Sequence, residues 1–548
     1  PTGIGKTLMG LFFASEIEKK VKGPIIYTLP YLSIIEQTTD VFNSIRWDTL
    51  RISVVQHHSL SFPQMERKNE NPNFEQARFS LESWEGDIIV TTFDQLFYSF
   101  LSRCRGFVRR FFQLPSSVLI CDEVQTLPAR LIPAVETFLK KMCKKLNLQI
   151  LYMTATHPPF LKDAKLILQD DKKYFESLNR TELKLCIKRP ISFQKYLESL
   201  PEWLKQRRGK SILFVANTIR SSLQLFNFLN ALKKQEADFH SLQLFYLSGN
   251  VVPIQRIQEI RKIKKCLDSK SHPWMVIVST QCIEAGVDID VDEIVRDFAP
   301  WDCLLQICGR ANRFGFKDRS LVWVYRWLDD LHDKEFNRYI YDPVFIQATL
   351  DVIKRRKSVK EEEYWKVQKE YVQELEQRLS EKDPSQELVN NALSWQFNKL
   401  NFQDLFRGID TWKISLFCVA DDLARWLQKI AISLWMDKNP EKALEYLGKL
   451  SRKTKLLTPL TQFLRTTPKE IRRLTKEFRA KGKRNLFYQL PCLLNPMLQA
   501  YTISIPVRKL EKLREIDWIS EGFPYVPNKY YDSLQGFSPR QKTYNNII

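Results

Sequence analysis

The chain has 548 residues, 44% of them hydrophobic, with 84 Lys and Arg against 63 Asp and Glu and a formal charge of +21. It contains no run of about 18 uncharged apolar residues, which excludes a membrane-spanning helix, and its length leaves room for roughly three to four domains with buried cores. Ten cysteines without a Cys-x-x-Cys pair and six scattered histidines argue against a zinc site or a disulfide framework and suit a reducing cytoplasm, so the excess positive charge points to a polyanionic partner, nucleic acid first.

Pro1-Thr2-Gly3-Ile4-Gly5-Lys6-Thr7 reads as the end of a phosphate-binding loop. Glycines let the backbone wrap a polyphosphate, the first amides of the next helix face the anion, Lys6 neutralises it, and Thr7 offers an oxygen to Mg²⁺. Taken alone, such a string also occurs in ordinary turns. The strand that should carry the loop lies before Pro1, so the numbering is expected to begin inside a protein or the chain to be a fragment, and residues 1–548 alone are expected to bind ATP poorly.

Short apolar runs follow in an alternating strand–helix rhythm: Pro24–Pro30, Asp87–Thr92, Ser117–Glu123 and Gln149–Thr156. Each ends in polar residues, where open α/β sheets place their ligands. Asp122-Glu123 closes one of them. Adjacent carboxylates are usually solvated surface, but at the tip of an apolar strand downstream of a phosphate loop Asp122 suits Mg²⁺ and Glu123 suits activation of the attacking water.

A second lobe starts near Lys210, with strands expected at Ser211–Thr218, Leu244–Gly249 and Met275–Gln281 and no second phosphate loop. Such a lobe donates cations in trans. The spacing of Arg310 and Arg313, read as one face of a helix spanning Gln306 to Arg313, would aim both into the cleft to stabilise charge on the γ-phosphate. The plain alternative is a surface arginine pair.

Read in order, Gly3 to Thr7, Asp122-Glu123-Val124-Gln125, Thr154-Ala155-Thr156, Ser279 to Asp290 and Gln306 to Arg313 resemble superfamily 2 helicase motifs I, II, III, V and VI. More narrowly, Asp-Glu-Val-Gln, the Glu284-Ala285-Gly286-Val287-Asp288 string and Gly309-Arg310-Ala311-Asn312-Arg313-Phe314-Gly315 resemble the signature helicase of type I CRISPR systems. The resemblance covers about residues 1 to 330. It implies a catalytic set of Lys6, Asp122, Glu123, Gln306, Arg310 and Arg313. It further implies ATP binding by Thr2, Gly3, Ile4, Gly5, Lys6, Thr7, Gly286 and Asp288, and Mg²⁺ held by Thr7 and Asp122. Thr154 and Thr156 would couple hydrolysis to closure, and Pro30, Tyr31, Thr91, Thr92, Gln95, Ser279 and Thr280 would contact DNA without reading bases.

The implied protein is an ATP-dependent translocase on single-stranded DNA, recruited to a target opened by an RNA-guided surveillance complex. Two departures bear on this. Leu247-Ser248-Gly249-Asn250 stands where many relatives carry a His-Ser-Arg type string, which puts nucleic-acid contacts there in doubt. The one His-Asp pair, His332-Asp333, lacks clustered histidines, so nuclease activity is not expected within residues 1–548 and would reside upstream or on a separate subunit.

The fold class implied is α/β: two RecA-like parallel-sheet lobes, residues 1–185 and 186–350, then a long linker helix at 351–384 and a mainly helical accessory domain at 385–548. The helix is read from the stripe Tyr364, Val367, Tyr371 and Leu375, with Pro384 as its stop. The basic run Lys469 to Arg484 is either a solvated face or a surface for DNA or the surveillance complex. Two rival functions remain: an RNA-remodelling helicase, disfavoured by Val124-Gln125 where Ala-Asp is usual there, and a non-catalytic nucleic-acid clamp, disfavoured by the intact Lys6, Glu123 and Arg313.

Overall fold

The structure, a computed structural model, describes residues 5–30, 32–45, 52–57, 74–101, 105–124, 132–154, 164–165, 167, 171–269, 274–284, 287–315, 318–378, 413–480, 483–506, 517–520, 523–526, 530–532 and 535–537. Its contacts divide the chain into two units, one of Pro1–Val55, Gly86–Leu247 and Arg261–Phe406, the other of Gln56–Glu85, Ser248–Ile260 and Arg407–Ile548.

The first unit holds two sheets. Strands β1 (Ile25–Leu29), β2 (Val54–His57), β3 (Ile88–Thr92), β4 (Val118–Asp122) and β5 (Gln149–Met153) form a five-stranded sheet in the order β2-β3-β1-β4-β5. Strands β1 and β4 are buried along their whole length, as continuous apolar runs in a parallel sheet covered on both faces should be. Ile25, Tyr27 and Leu29 pack with Val90, Ile120 and Met153, and Leu11 and Ala14 of the helix Lys6–Val21 join this core.

The second sheet is eight-stranded, with β6 (Thr181–Ser192), β7 (Ser211–Val215), β8 (Gln243–Leu247), β9 (Met275–Ser279), β10 (Glu293–Asp297), β11 (Ser320–Asp329), β12 (Lys334–Glu335) and β13 (Ser358–Lys360). Its order is β13-β6-β11-β10-β7-β9-β8, with β12 on β11, and β12 and β13 run antiparallel to their neighbours. Because β6 pairs with β11 from Thr181 onward, residues 181–185 belong to the second sheet rather than to the first lobe as expected.

The single linker helix expected over 351–384 is divided. The helix Pro343–Ile353 ends before β13 pairs back onto β6, and a new helix runs Tyr364–Arg378; residues 379–384 lie outside the described residues. The reason is the aromatic stripe. Tyr364, Val367, Tyr371 and Leu375 are at most 2% exposed, and a stripe that apolar folds the segment against its own lobe instead of leaving it in solvent.

In the second unit, β14 (Lys413–Cys418), β15 (Thr502–Pro506), β16 (Asp517–Ser520) and β17 (Phe523–Val526) form a sheet ordered β15-β14-β17-β16. Between β14 and β15 lie helices at Asp422–Ala431, Pro440–Arg452, Thr454–Phe463, Pro468–Arg479 and Lys483–Gln499. The basic run falls mainly on the helix Pro468–Arg479, which buries Ile471, Leu474 and Phe478, and ends at the start of the helix Lys483–Gln499; residues 481–482 lie outside the described residues.

A hairpin of β18 (Tyr531–Asp532) and β19 (Gly536–Phe537) closes on the segment after β8 within this unit. Asn250 Nδ2 donates to the carbonyl of Gln535 at 2.7 Å, and the amide of Val252 donates to the Tyr531 hydroxyl at 2.9 Å. Gly536 has φ +77, and a Cβ there would lie 2.4 Å from the Asn250 carbonyl oxygen, so the approach requires glycine.

Candidate nucleotide site

The site begins at the N-terminus of the helix Lys6–Val21. Gly5 precedes it at φ +80, with no side-chain cap on the first amides among the described residues, an arrangement suited to an anion at the helix start. Thr2, Gly3 and Ile4 lie outside the described residues. Lys6 Nζ is buried, has no hydrogen-bond partner among the described residues, and sits 4.0 Å from Glu123 Oε1.

Asp122 ends β4 and is 6% exposed. Its Oδ2 accepts from the Tyr27 hydroxyl at 2.7 Å and its Oδ1 from the Glu123 amide at 2.9 Å. Burial, and then the neighbouring Glu123 carboxylate, push its pKa up, against the pull of Lys6. Glu123 itself has φ +55, a left-handed conformation uncommon outside glycine. Thr7 lies within hydrogen-bonding reach of the Tyr27 phenol, so one buried tyrosine touches both residues assigned to Mg²⁺.

The second lobe contributes the turn after the helix Trp301–Cys308. Arg310 and Arg313 do not lie on a helix face, contrary to expectation. The helix stops at Cys308, Ala311 bridges to Val291, and Asn312 adopts φ +45; these tertiary bonds outcompete another helical turn. Arg310 Nη2 donates to the Glu284 carbonyl at 3.0 Å, while its Nε is buried with no partner among the described residues. Burial, and then Arg313, pull its pKa down to about 10, and the carboxylates of Asp288, Glu123 and Glu284 oppose this. Arg313 pairs with Asp288 at 2.9 Å, and its amide donates to Asp290 Oδ1 at 3.0 Å.

Glu123 of the first lobe thus acts electrostatically on Arg310 of the second, within one unit. A buried ammonium nitrogen and a buried guanidinium nitrogen without hydrogen-bond partners among the described residues, two carboxylates and a helix start form a donor set that fits a nucleoside triphosphate with Mg²⁺. Gln306 lies on the helix Trp301–Cys308 at 9% exposure. Gly286 and Thr156 fall outside the described residues, whereas Thr154 directly follows β5.

The residues assigned to DNA divide. Thr91 and Ser279 are fully buried, since each ends inside a covered strand, so their hydroxyls do not reach a bound strand in this conformation. Thr280 is 5% exposed. Pro30, Thr92 and Gln95 are half-buried; Thr92 Oγ1 accepts from the Gln95 amide at 3.2 Å, and Gln95 Oε1 accepts from Arg110 at 2.6 Å. Tyr31 is outside the described residues. His332 Nδ1 pairs with Asp329 at 2.9 Å, and no cluster of three metal-ligating side chains occurs among the described residues.

Several supporting residues were assigned no role by the motifs. Besides Tyr27, Glu284 is 7% exposed and pairs with the fully buried Arg296 at 2.7 Å. Arg296 also donates to Asn217 Oδ1 at 2.6 Å and to the Tyr341 hydroxyl at 2.9 Å. Only the charged character of β10, odd for a central strand, hints at this from sequence.

A family model for DEAD/DEAH box helicases matches residues 1–164, and one for the C-terminal part of the CRISPR-associated nuclease/helicase Cas3 matches residues 208–315. Among curated proteins, the CRISPR-associated nuclease/helicase Cas3 of Haloferax volcanii is 26% identical over 412 residues, covering 57% of this chain and 44% of the relative. The Cas3 of Methanothermobacter thermautotrophicus is 25% identical over 338 residues, covering 57% and 38%. The chain therefore spans about two fifths of the curated relatives it matches. Among solved structures, T. fusca Cas3 with ADP superposes with a TM-score of 0.65 at 15% identity over 96% of this chain and 64% of that one. A chain from a structure titled "CRISPR RNA-guided surveillance complex, pre-nicking" gives 0.52 at 14%, covering 96% and 67%. Helicase models match the two lobes in order and the curated relatives agree with them, so the chain is similar to DEAD/DEAH box helicases and, more narrowly, to the Cas3 nuclease/helicases.

Proposed function

We propose that this chain is the motor of a type I CRISPR helicase: it hydrolyses ATP and moves along single-stranded DNA opened by an RNA-guided surveillance complex, feeding a nuclease that is fused upstream or separate. The observation that supports the reading is that Glu123, 4.0 Å from Lys6, acts electrostatically on Arg310 of the second lobe. The Cas3 relatives and the surveillance-complex structure that this fold resembles support the setting.

In this reading the helix start and Lys6 hold the β- and γ-phosphates. Thr7 and Asp122 would hold Mg²⁺, which neutralises phosphate charge when bound. Glu123 accepts a proton from the attacking water, and Arg310 and Arg313 meet the charge that develops on the γ-phosphoryl oxygens. Release of phosphate removes that charge and lets the lobes part. Hydroxyls and amides at strand ends track the DNA backbone without reading bases.

The test is ATP hydrolysis with no nucleic acid, with single-stranded DNA and with single-stranded RNA, repeated for Glu123→Gln and with DNA integrity followed in parallel. Stimulation by DNA that the substitution abolishes supports the motor. Stimulation by RNA alone would replace it with an RNA-remodelling helicase, and DNA binding without hydrolysis would replace it with a clamp.

A further inference from the structure

We propose that Arg180 and Glu361 are positioning residues for the arginine-bearing turn at 309–315, so that the segment around the helix Tyr364–Arg378 supports the nucleotide site. The proposal rests on the ATP-hydrolase reading above. Neither residue lies in a helicase motif, and 181 positions separate them in sequence.

Arg180 directly precedes β6 and grips Glu361 with three donors. Its amide donates to Oε2 at 2.7 Å, its Nε to Oε1 at 3.1 Å, and its Nη2 to Oε1 at 2.5 Å. The remaining Nη1 donates to the main-chain carbonyl of Arg313 at 3.0 Å. In return the Arg180 carbonyl accepts from Asn312 Nδ2 at 3.2 Å. A Cβ at Gly315 would lie 3.7 Å from Arg180 Cγ, so the turn also rests on the arginine stem. One residue therefore meets the turn at three of its positions, 312 through its carbonyl and 313 and 315 through its side chain.

The pair is nearly buried, with 11% and 5% of the two side chains exposed. A buried ion pair gains little net stability over an apolar replacement, because desolvation of both charges offsets their attraction. What it does supply is direction. A guanidinium presents its donors in a rigid fork, so a carboxylate that fixes two of them also fixes where the third points. Here the third points at the backbone of Arg313. Next to Glu361, Tyr364 donates to Cys308 Sγ at 3.4 Å and meets Thr181 Oγ1 at 3.1 Å, fastening the end of the helix from which the turn departs.

Internally the turn has isolated three-residue bonds, from the amides of Arg310, Ala311 and Gly315 to the carbonyls of Ile307, Cys308 and Asn312, and no continuous α-helical ladder, so its geometry leans on these outside contacts. Arg180→Lys keeps a cation beside Glu361 but cannot also bond the Arg313 carbonyl. The experiment uses the full-length protein, with its whole phosphate-binding loop, and compares two affinities: for ADP alone, and for ADP with aluminium fluoride, a mimic of the transferring phosphoryl group. Arg180→Lys is expected to leave ADP affinity within roughly two-fold while weakening the aluminium-fluoride complex at least about ten-fold, as misplacement of a transition-state group should. Combined with Arg313→Ala, it should cost nothing further.

The ratio of the two affinities cancels any change in folded fraction, so a simple folding defect would leave it unmoved. A ratio that stays at the wild-type value, or losses that multiply in the double variant, would overturn the proposal. Should Arg180→Lys not yield folded protein, Glu361→Gln carries the same comparison, with the same direction expected. A wild-type chain that binds ADP but forms no trapped complex would overturn the hydrolase reading itself, whereas a trapping wild type matched by Arg180→Lys sinks only this inference.

Discussion

The Tyr27 hydroxyl donates to Asp122 Oδ2 at 2.7 Å across the neighbouring strands β1 and β4, and the same phenol lies beside Thr7. Without metal, this bond is what a buried carboxylate has in place of water. Tyr27→Phe should therefore lower the unfolding free energy of the nucleotide-free protein by about 1–3 kcal/mol. With Mg²⁺ and ATP bound, the metal would satisfy Asp122 instead and the deficit should shrink. Urea unfolding under both conditions checks this, and an equal deficit in each would show that the phenol serves only the core.

Arg310 is half-buried with its Nε fully covered, carries one backbone bond, and has desolvation and Arg313 pulling its pKa down to about 10. It remains charged at neutral pH, and nothing local repays that placement in full. A residue so placed is retained for what it does to a ligand. Arg310→Ala should reduce DNA-stimulated turnover at least about 10²-fold, by analogy with trans-acting arginines, while the melting temperature holds or rises. Retained turnover with a lower melting temperature would make Arg310 a structural residue.

Much of the first sheet and part of the second were legible because β1, β3, β4, β7, β8 and β9 are short apolar runs, the pattern that strands covered on both faces produce. Strand β10 was missed because Glu293, Arg296 and Asp297 look wrong for a core; Arg296 becomes tolerable only when the fold brings Glu284, Asn217 and Tyr341 to it. The motif strings located Lys6, Asp122, Glu123, Asp288, Arg310 and Arg313, which are linked by the Lys6–Glu123 and Arg313–Asp288 pairs and by the action of Glu123 and Asp288 on Arg310. Tyr27 was invisible, and Glu284, though inside a motif string, was assigned no role, since their roles depend on register and on a loop carbonyl rather than on local spacing. The arginine spacing misled for a similar reason: the bridge of Ala311 to Val291 and the left-handed Asn312 are tertiary outcomes.

The stripe on the helix Tyr364–Arg378 separates a folded element from a free linker by stability alone. Leu375 is 2% exposed and Lys369 is exposed on the opposite face. Leu375→Ala should cost about 2–5 kcal/mol through the cavity it leaves, and Lys369→Ala should stay within about 0.5 kcal/mol. Chemical denaturation of both variants decides the matter, because a linker that packs on nothing would treat the two substitutions alike.

Asp297 sets a pH dependence that can be worked through. It is fully buried, its Oδ2 has no hydrogen-bond partner among the described residues, and burial pushes its pKa up to about 7, opposed first by Arg296. Below about pH 4 the side chain is protonated in both folded and unfolded chains, and it costs nothing. Between about pH 4 and 7 the unfolded chain releases this proton while the folded one keeps it, so stability falls as pH rises. Above pH 7 the full penalty stands, on the order of 4 kcal/mol for a shift of about three units. Asp297→Asn has no proton to lose. Its unfolding free energy should fall less steeply than that of the wild type between pH 5 and pH 8, and urea midpoints at four or so pH values across that range measure the difference in slope; parallel curves would show that Asp297 is ionised in the fold throughout.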